Sequence, residues 1–206
     1  MRHRDETCAE PLSLRALRVD DSAAMAVVLA DASLYRFTGG EPPSVADLER
    51  RYAVQTRGHS ADRTETWINS IVVLGARQEP IGYVQATIPE GGAPAEIAWV
   101  IGVPWQGRGY AARAAALLVE ALVRRRVDRI IAHIHPEHAA SQRIATRLGM
   151  LPTSTVVDGE IRWEVAIAAP ATAVSLPDCA PTASGIFDAD AGTRPGSTRP
   201  GQGAPR

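Results

Sequence analysis

The chain has 206 residues with 22 basic and 23 acidic side chains, a formal net charge of −1. That length is one domain with something to spare, and the balanced charge leaves no basic excess to neutralise a phosphate backbone, so nucleic acid is not the expected partner. All 22 basic residues are Arg and none is Lys, which reads as codon bias together with the abundant Ala, Gly and Pro. Cys8 and Cys179 lie near opposite ends, so a disulfide scaffold is excluded.

Residues 1–11 are polar and of mixed charge, without the apolar run of a secretory signal, and are expected to be a flexible N-terminus. The apolar stretch 23–30 is too short to span a bilayer. No membrane partner and a cytoplasmic location are therefore expected. From 169 to 206 the chain turns to Ala, Pro, Gly, Ser and Thr with few large apolar residues. Such a segment cannot bury enough apolar surface to offset its ordering entropy, and it is expected to be a disordered tail. The folded domain is expected over residues 12–168. The tail's three acids and three arginines cancel, so residues 1–168 keep the charge of −1.

Within it, residues 12–19 alternate as a strand, and 22–34 carry Met25, Val28 and Leu29 at helical spacing. A Gly/Pro loop occupies 38–43. Ser44 and Asp47 have the spacing of a capping box, opening a helix with Val45, Leu48 and Tyr52 on one face. After a polar loop at 57–66 come three strands, 67–74, 81–88 and 95–103. Their connections are too short for crossover helices, which predicts an antiparallel meander. A long helix follows at 109–125, a strand at 129–135, and a helix at 139–148 closed by Gly149. Asp158-Gly159 then marks a hairpin turn ending in a strand over 161–167. The order β-α-α-β-β-β-α-β-α-β-β predicts an α/β fold, a mixed and mostly antiparallel sheet with flanking helices.

The most informative segment runs from Glu96 through Gln106-Gly107-Arg108-Gly109-Tyr110-Ala111. An apolar strand meets a Gly-rich turn and then a helix, whose first N–H groups are unpaired and carry positive partial charge, a geometry that binds phosphate. A dinucleotide-binding loop is one reading of G-x-G-x-x-A, but it requires an acid at the end of the next strand, and Asp128 precedes that strand. A plain strand-to-helix turn is a second reading. In the third, the segment resembles the Q/R-x-x-G-x-G/A pyrophosphate loop of the GNAT superfamily of acyl-CoA-dependent N-acetyltransferases. The element order over 12–167 is also the GNAT order, and the resemblance is greatest to the RimJ/RimL-like branch, which acetylates protein N-terminal or small-molecule amines.

The resemblance implies acetyl-CoA as co-substrate, an amine acceptor and no metal; the chain is expected as a monomer or homodimer. It places backbone groups of Ile101 and Val103 on pantetheine and the amides of Gln106, Gly107, Arg108, Gly109, Tyr110 and Ala111 on the pyrophosphate. Glu96, ten residues before Gln106, takes the position of the general base of histone-type relatives; a base is needed because an ammonium has no lone pair with which to attack. The Tyr that many relatives use to protonate the leaving thiolate is replaced by Ala145. Ser141 stands in as acid or cofactor contact, His138 is expected to bind the cofactor from a position where this branch often has an Asn contacting CoA, and Arg113 and Arg143 are within chain reach of phosphates. A non-catalytic acyl-CoA-binding module is the alternative.

His133-Ile134-His135-Pro136-Glu137-His138 nearly spells the first ligand set of a metallohydrolase, but no further His follows it. The acceptor side is expected at 34–44, 58–67 and 157–163. Their acids, Glu41, Asp62, Glu65, Asp158 and Glu160, read as solvated loop charges, with a cationic acceptor such as an aminoglycoside as the alternative.

Overall fold

A computed structural model describes residues 10–167. The expectations of a flexible N-terminus and of a disordered tail, and both cysteines, fall on positions that lie wholly or almost wholly outside these residues. The elements are β1 (Leu12–Ala16), α1 (Ser22–Val28), α2 (Val45–Gln55), β2 (Glu65–Leu74), β3 (Glu79–Pro89), β4 (Ala95–Ile101), α3 (Tyr110–Arg124), β5 (Arg129–Ile134), α4 (Ala139–Arg147), β6 (Leu151–Val157) and β7 (Glu160–Ala166). They build one seven-stranded sheet in the order β1-β2-β3-β4-β5-β7-β6. The expected mixed α/β architecture is present. Every neighbouring pair is antiparallel except β4–β5, which the α3 crossover makes parallel.

Period-two alternation divides the sheet between two cores. Val72 and Leu74 of β2 face one side, with Val84, Ile97, Ile130 and the α3 residues Ala114, Leu118 and Leu122. Ile71 and Val73 face the other, against Met25, Val28, Leu48 and Tyr52 of α1 and α2. The second face is covered over β2 and β3. Toward β4 and β5 it stays open enough that the Glu96 side chain is 51% exposed.

Local signals explain most boundaries. The Ser44–Asp47 box forms: the Asp47 N–H donates to Ser44 Oγ at 3.2 Å, and the Ser44 N–H to Asp47 Oδ2 at 3.1 Å. Asp158 and Gly159 both adopt positive φ, as a type I′ hairpin turn requires. The predicted single helix over 22–34 is instead broken. α1 stops at Val28, and Asp31 accepts the Ser33 N–H at 2.9 Å to cap a separate 3₁₀ turn, Ala32–Tyr35. A short polar side chain that bonds backbone locally competes with helix continuation. β1 likewise ends at Ala16 rather than 19, because Asp21 takes the Arg18 N–H at 2.8 Å and two guanidinium bonds from Arg15 at 2.6 and 3.2 Å. The 95–103 strand stops at Ile101.

Two positions carry sharp expectations. R15A strands the 11%-exposed Asp21 carboxylate and is expected to lower unfolding free energy by about 1–3 kcal/mol in denaturant titration. At Gly82 an added Cβ would fall on the Val100 carbonyl oxygen, with Ile101 Cα at 2.9 Å. G82A is therefore expected to overpack the β3–β4 contact by about 1–3 kcal/mol, lowering Tm by roughly 2–10 °C; an unchanged Tm contradicts this packing.

Candidate functional site

β4 and β5 pair over only two rungs, Ala95↔Ile130 and Glu96↔Ile131. β4 then continues to Ile101 along β3, and β5 continues to Ile134 along β7. Two parallel strands held from outside thus part company in the middle of the sheet. The Gly102 N–H bonds across to the Ile81 carbonyl at 2.8 Å. Antiparallel ladders alternate, so the polar backbone groups of Ile101 and Trp99 turn away from β3, toward the gap. Gln106 Nε2 reaches back to the Ile101 carbonyl at 2.9 Å, which matches that direction. Trp99 was not among the expected contacts, although it lies two residues before Ile101 on the same edge. Val103, expected to extend that edge, sits in the 3₁₀ turn Val103–Trp105, and its carbonyl accepts the Gln106 N–H at 3.1 Å.

The Gly-rich loop follows at once. Gly107 and Gly109 have φ of +76° and +79°, and a Cβ on either would meet nothing within 4 Å. They are glycines because of their left-handed backbone, and the space above them is open. The N–H groups of Gly107, Arg108 and Gly109 donate to no acceptor among the described residues. The first bond of α3 runs from the Arg113 N–H to the Gly109 carbonyl at 3.2 Å, which leaves the N–H groups of Tyr110, Ala111 and Ala112 free as well. The free run is therefore 107–112, displaced by one residue from the expected 106–111, because the Gln106 amide is used inside its own turn. Six consecutive free donors at the positive end of a 15-residue helix form an anion cradle.

The side chains nearby serve the fold. Tyr110 is buried in the α3 core and Ala111 packs against it. The Arg113 guanidinium lies 5.8 Å from the Tyr110 ring centroid and donates to the Glu10 carbonyl at 3.1 Å; it is directed to the chain preceding β1. Arg108 and Arg143 are exposed.

Across the gap, His138 is the N-cap of α4: its Nδ1 accepts the Ser141 N–H at 3.1 Å. The Ser141 hydroxyl has no hydrogen-bond partner among the described residues, and α4 spacing puts it one turn before Ala145 on the same face. Ala145 is fully buried. Phe37, delivered by the break after α1, places its ring centroid 4.5 Å from that of His138 and 5.2 Å from that of His135. Phe37 carries no motif signal, and only the Asp31 cap hints at the turn that positions it.

Glu96 and His133 meet on the α1/α2 face, Oε1 to Nδ1 at 2.8 Å. In the sequence this His belonged to the metal-like string. Here the Nδ1 atoms of His133, His135 and His138 have three separate partners: Glu96, the Glu137 N–H at 3.2 Å and the Ser141 N–H. Among the described residues no three His, Cys, Asp or Glu side chains converge as a metal site, and no helix is long and apolar enough to cross a membrane.

Beside Glu96, whose strand partner is Thr87, an open cleft of ≈ 510 Å³ lies between α2 and the sheet, lined by Arg51, Glu65, Trp67, Asn69, Gln85 and Thr87 among others. Glu65 accepts the Trp67 indole N–H at 2.9 Å. Asp62, another of the predicted acceptor-side acids, is held by the Ser60 and Thr64 hydroxyls and the Thr64 N–H, which push its carboxyl down to about 2. It organises its own loop.

Solved structures share this fold. An acetyltransferase of the GNAT family from Bacillus anthracis is similar at 21% identity and a TM-score of 0.60, covering 77% of this chain and 95% of that one. The aminoglycoside acetyltransferase AAC(6')-Ib in complex with coenzyme A and kanamycin gives 20%, 0.63, 77% and 96%. RimL, the ribosomal L7/L12 alpha-N-protein acetyltransferase in complex with coenzyme A, gives 15%, 0.63, 77% and 96%. Among curated protein sequences none matches the chain. The model of the GNAT acetyltransferase domain matches residues 12–151, and with the parted strands and the free amide cradle already in place the chain belongs to the GNAT acetyltransferase family.

Proposed function

We propose that the protein transfers the acetyl group of acetyl-CoA to a primary amine by direct attack of the amine on the thioester. The observation that carries this reading is the junction of two features: an unpaired edge of β4 at Trp99 and Ile101, and six free N–H groups at 107–112 immediately after it. The first suits the amide-bearing pantetheine arm, as an added strand edge. The second suits the pyrophosphate. Similar folds are solved with coenzyme A bound, which supports the same ligand class here.

The attacking nitrogen needs a lone pair, and deprotonation depends on Glu96, at the last rung before the strands part. Ser141 or water returns a proton to the leaving thiolate; the Ser141 hydroxyl is uncommitted and shares a helix face with the position where many relatives carry Tyr. His138 contributes as the cap that fixes the start of α4 beside Ser141. The acceptor binds in the cleft beside Glu96. Its lining holds one carboxylate and one guanidinium among carboxamides and an indole, which suits a polar acceptor with a single amine, such as a peptide α-amine or a small amino compound, better than a polycation. The competing reading is a non-catalytic acyl-CoA-binding module, favoured only by the replacement of the usual acid with the buried Ala145.

Two measurements test this. Thiol release from acetyl-CoA, followed over a panel of peptides and small amines, is expected to show turnover, with E96Q lowering kcat by roughly 10²–10⁴-fold; an unchanged rate in E96Q removes Glu96 from the chemistry. Calorimetric titration with acetyl-CoA is expected to show binding by the wild-type chain and a loss of at least about tenfold in G107E, which sets a carboxylate over the amide cradle. Retained affinity in G107E contradicts the cradle, and tight binding without turnover on any amine favours the non-catalytic module.

A further inference from the structure

We propose that the proton leaving the amine is received by Nε2 of His133, and that Glu96 acts through His133 as its positioning residue. The inference rests on the acetyl transfer proposed above and specifies which atom does the work. Glu96 sits on the last paired rung, opposite Ile131, whereas His133 lies two residues farther along β5 on the same face, at the lip where the strands part. His133 is also the less solvated of the two, 18% exposed against 51%, and a base sheltered from water competes less with solvent for the substrate's proton.

The hydrogen-bond partners set the protonation pattern. A carboxylate only accepts, so the 2.8 Å contact to Glu96 Oε1 places the hydrogen on Nδ1 of His133 and leaves Nε2 as the bare acceptor. His135 and His138 have the opposite arrangement. Their Nδ1 atoms accept backbone N–H groups from Glu137 and Ser141, so their neutral rings carry the hydrogen on Nε2 and offer no base there. Of the three histidines in the string, His133 alone presents a free ring acceptor, and it alone has a carboxylate behind it to stabilise the imidazolium. This is the division of labour of a carboxylate-oriented imidazole base.

The step balances. The amine nitrogen bonds to the thioester carbonyl carbon, its N–H proton passes to Nε2 of His133, and the C–S bond breaks. The thiolate takes a proton from Ser141 or water, and the proton held by the imidazolium returns through solvent to that donor, so that both groups are restored before the next turnover. No oxidant, reductant or metal enters.

Imidazole ¹⁵N spectra of the full chain, with His133 assigned by its loss in H133Q, are expected to show Nδ1–H for His133 and Nε2–H for His135 and His138. The Nδ1–H preference of His133 is expected to disappear in E96Q. An Nε2–H tautomer at His133 in the wild-type chain overturns the proposal. In kinetics, H133Q and H133N are expected to lower kcat at least 100-fold, while KM for the amine and the affinity for acetyl-CoA change less than about twofold. Transfer by the wild-type chain with H133Q above half its kcat removes this inference alone. Absence of transfer by the wild-type chain on every amine removes the reaction reading, and this inference with it.

Discussion

The constraint on which the site depends is the failure of β4 and β5 to stay paired. Buried backbone N–H and C=O groups require partners, so a sheet cannot open in its middle unless both strands are secured elsewhere. β4 is held along β3 from Gly82 to Thr87, and β5 over its whole length along β7. Each has a full antiparallel ladder on its outer side, so the inner edges can separate after two rungs. Gln106 covers one exposed carbonyl, and the remaining inward groups of Trp99 and Ile101 face the gap. The same departure lets β4 run directly into the Gly107–Gly109 turn, so that the strand edge and the cradle form one continuous surface.

The two faces of the sheet then divide the work. α3 packs its small and aliphatic face, Ala114, Leu118 and Leu122, against one side, and this fixes the helix whose N-terminus forms the cradle. α1 and α2 cover only part of the other side, which leaves the cleft lined by Gln85 and Thr87, the latter the strand partner of Glu96. The Arg15–Asp21 pair and the Asp31 cap stop β1 and α1 short, and the chain between α1 and α2 consequently delivers Phe37 to His135 and His138. The polar residues that end these elements therefore also shape one wall of the site.

Much of this was legible in the sequence. Element order, the capping box at Ser44, the Asp-Gly turn and the Gly107–Gly109 loop are local signals, read from a few neighbouring residues. The site was less legible where it depends on register. That Gln106 spends its own amide on Val103, shifting the free run by one residue, follows from a turn that propensity does not specify. Glu96 was visible by spacing from the loop, but its partner was hidden: His133 is 37 positions away in the chain and belonged to a string that looks like a metal site. Only the parallel register of β4 and β5 joins the two, and only hydrogen-bond partners distinguish the three histidines. Phe37 is remote in sequence from the two histidines it touches.

The central claim is that the parted edge of β4 and the amides after it form one surface for acetyl-CoA. Backbone hydrogen exchange of the full chain, with and without saturating acetyl-CoA, tests it most directly. The account predicts new protection over the amides of Trp99, Ile101 and residues 107–112, with β1 and β2 unchanged. Exchange at 107–112 that stays the same while the ligand is bound would contradict it.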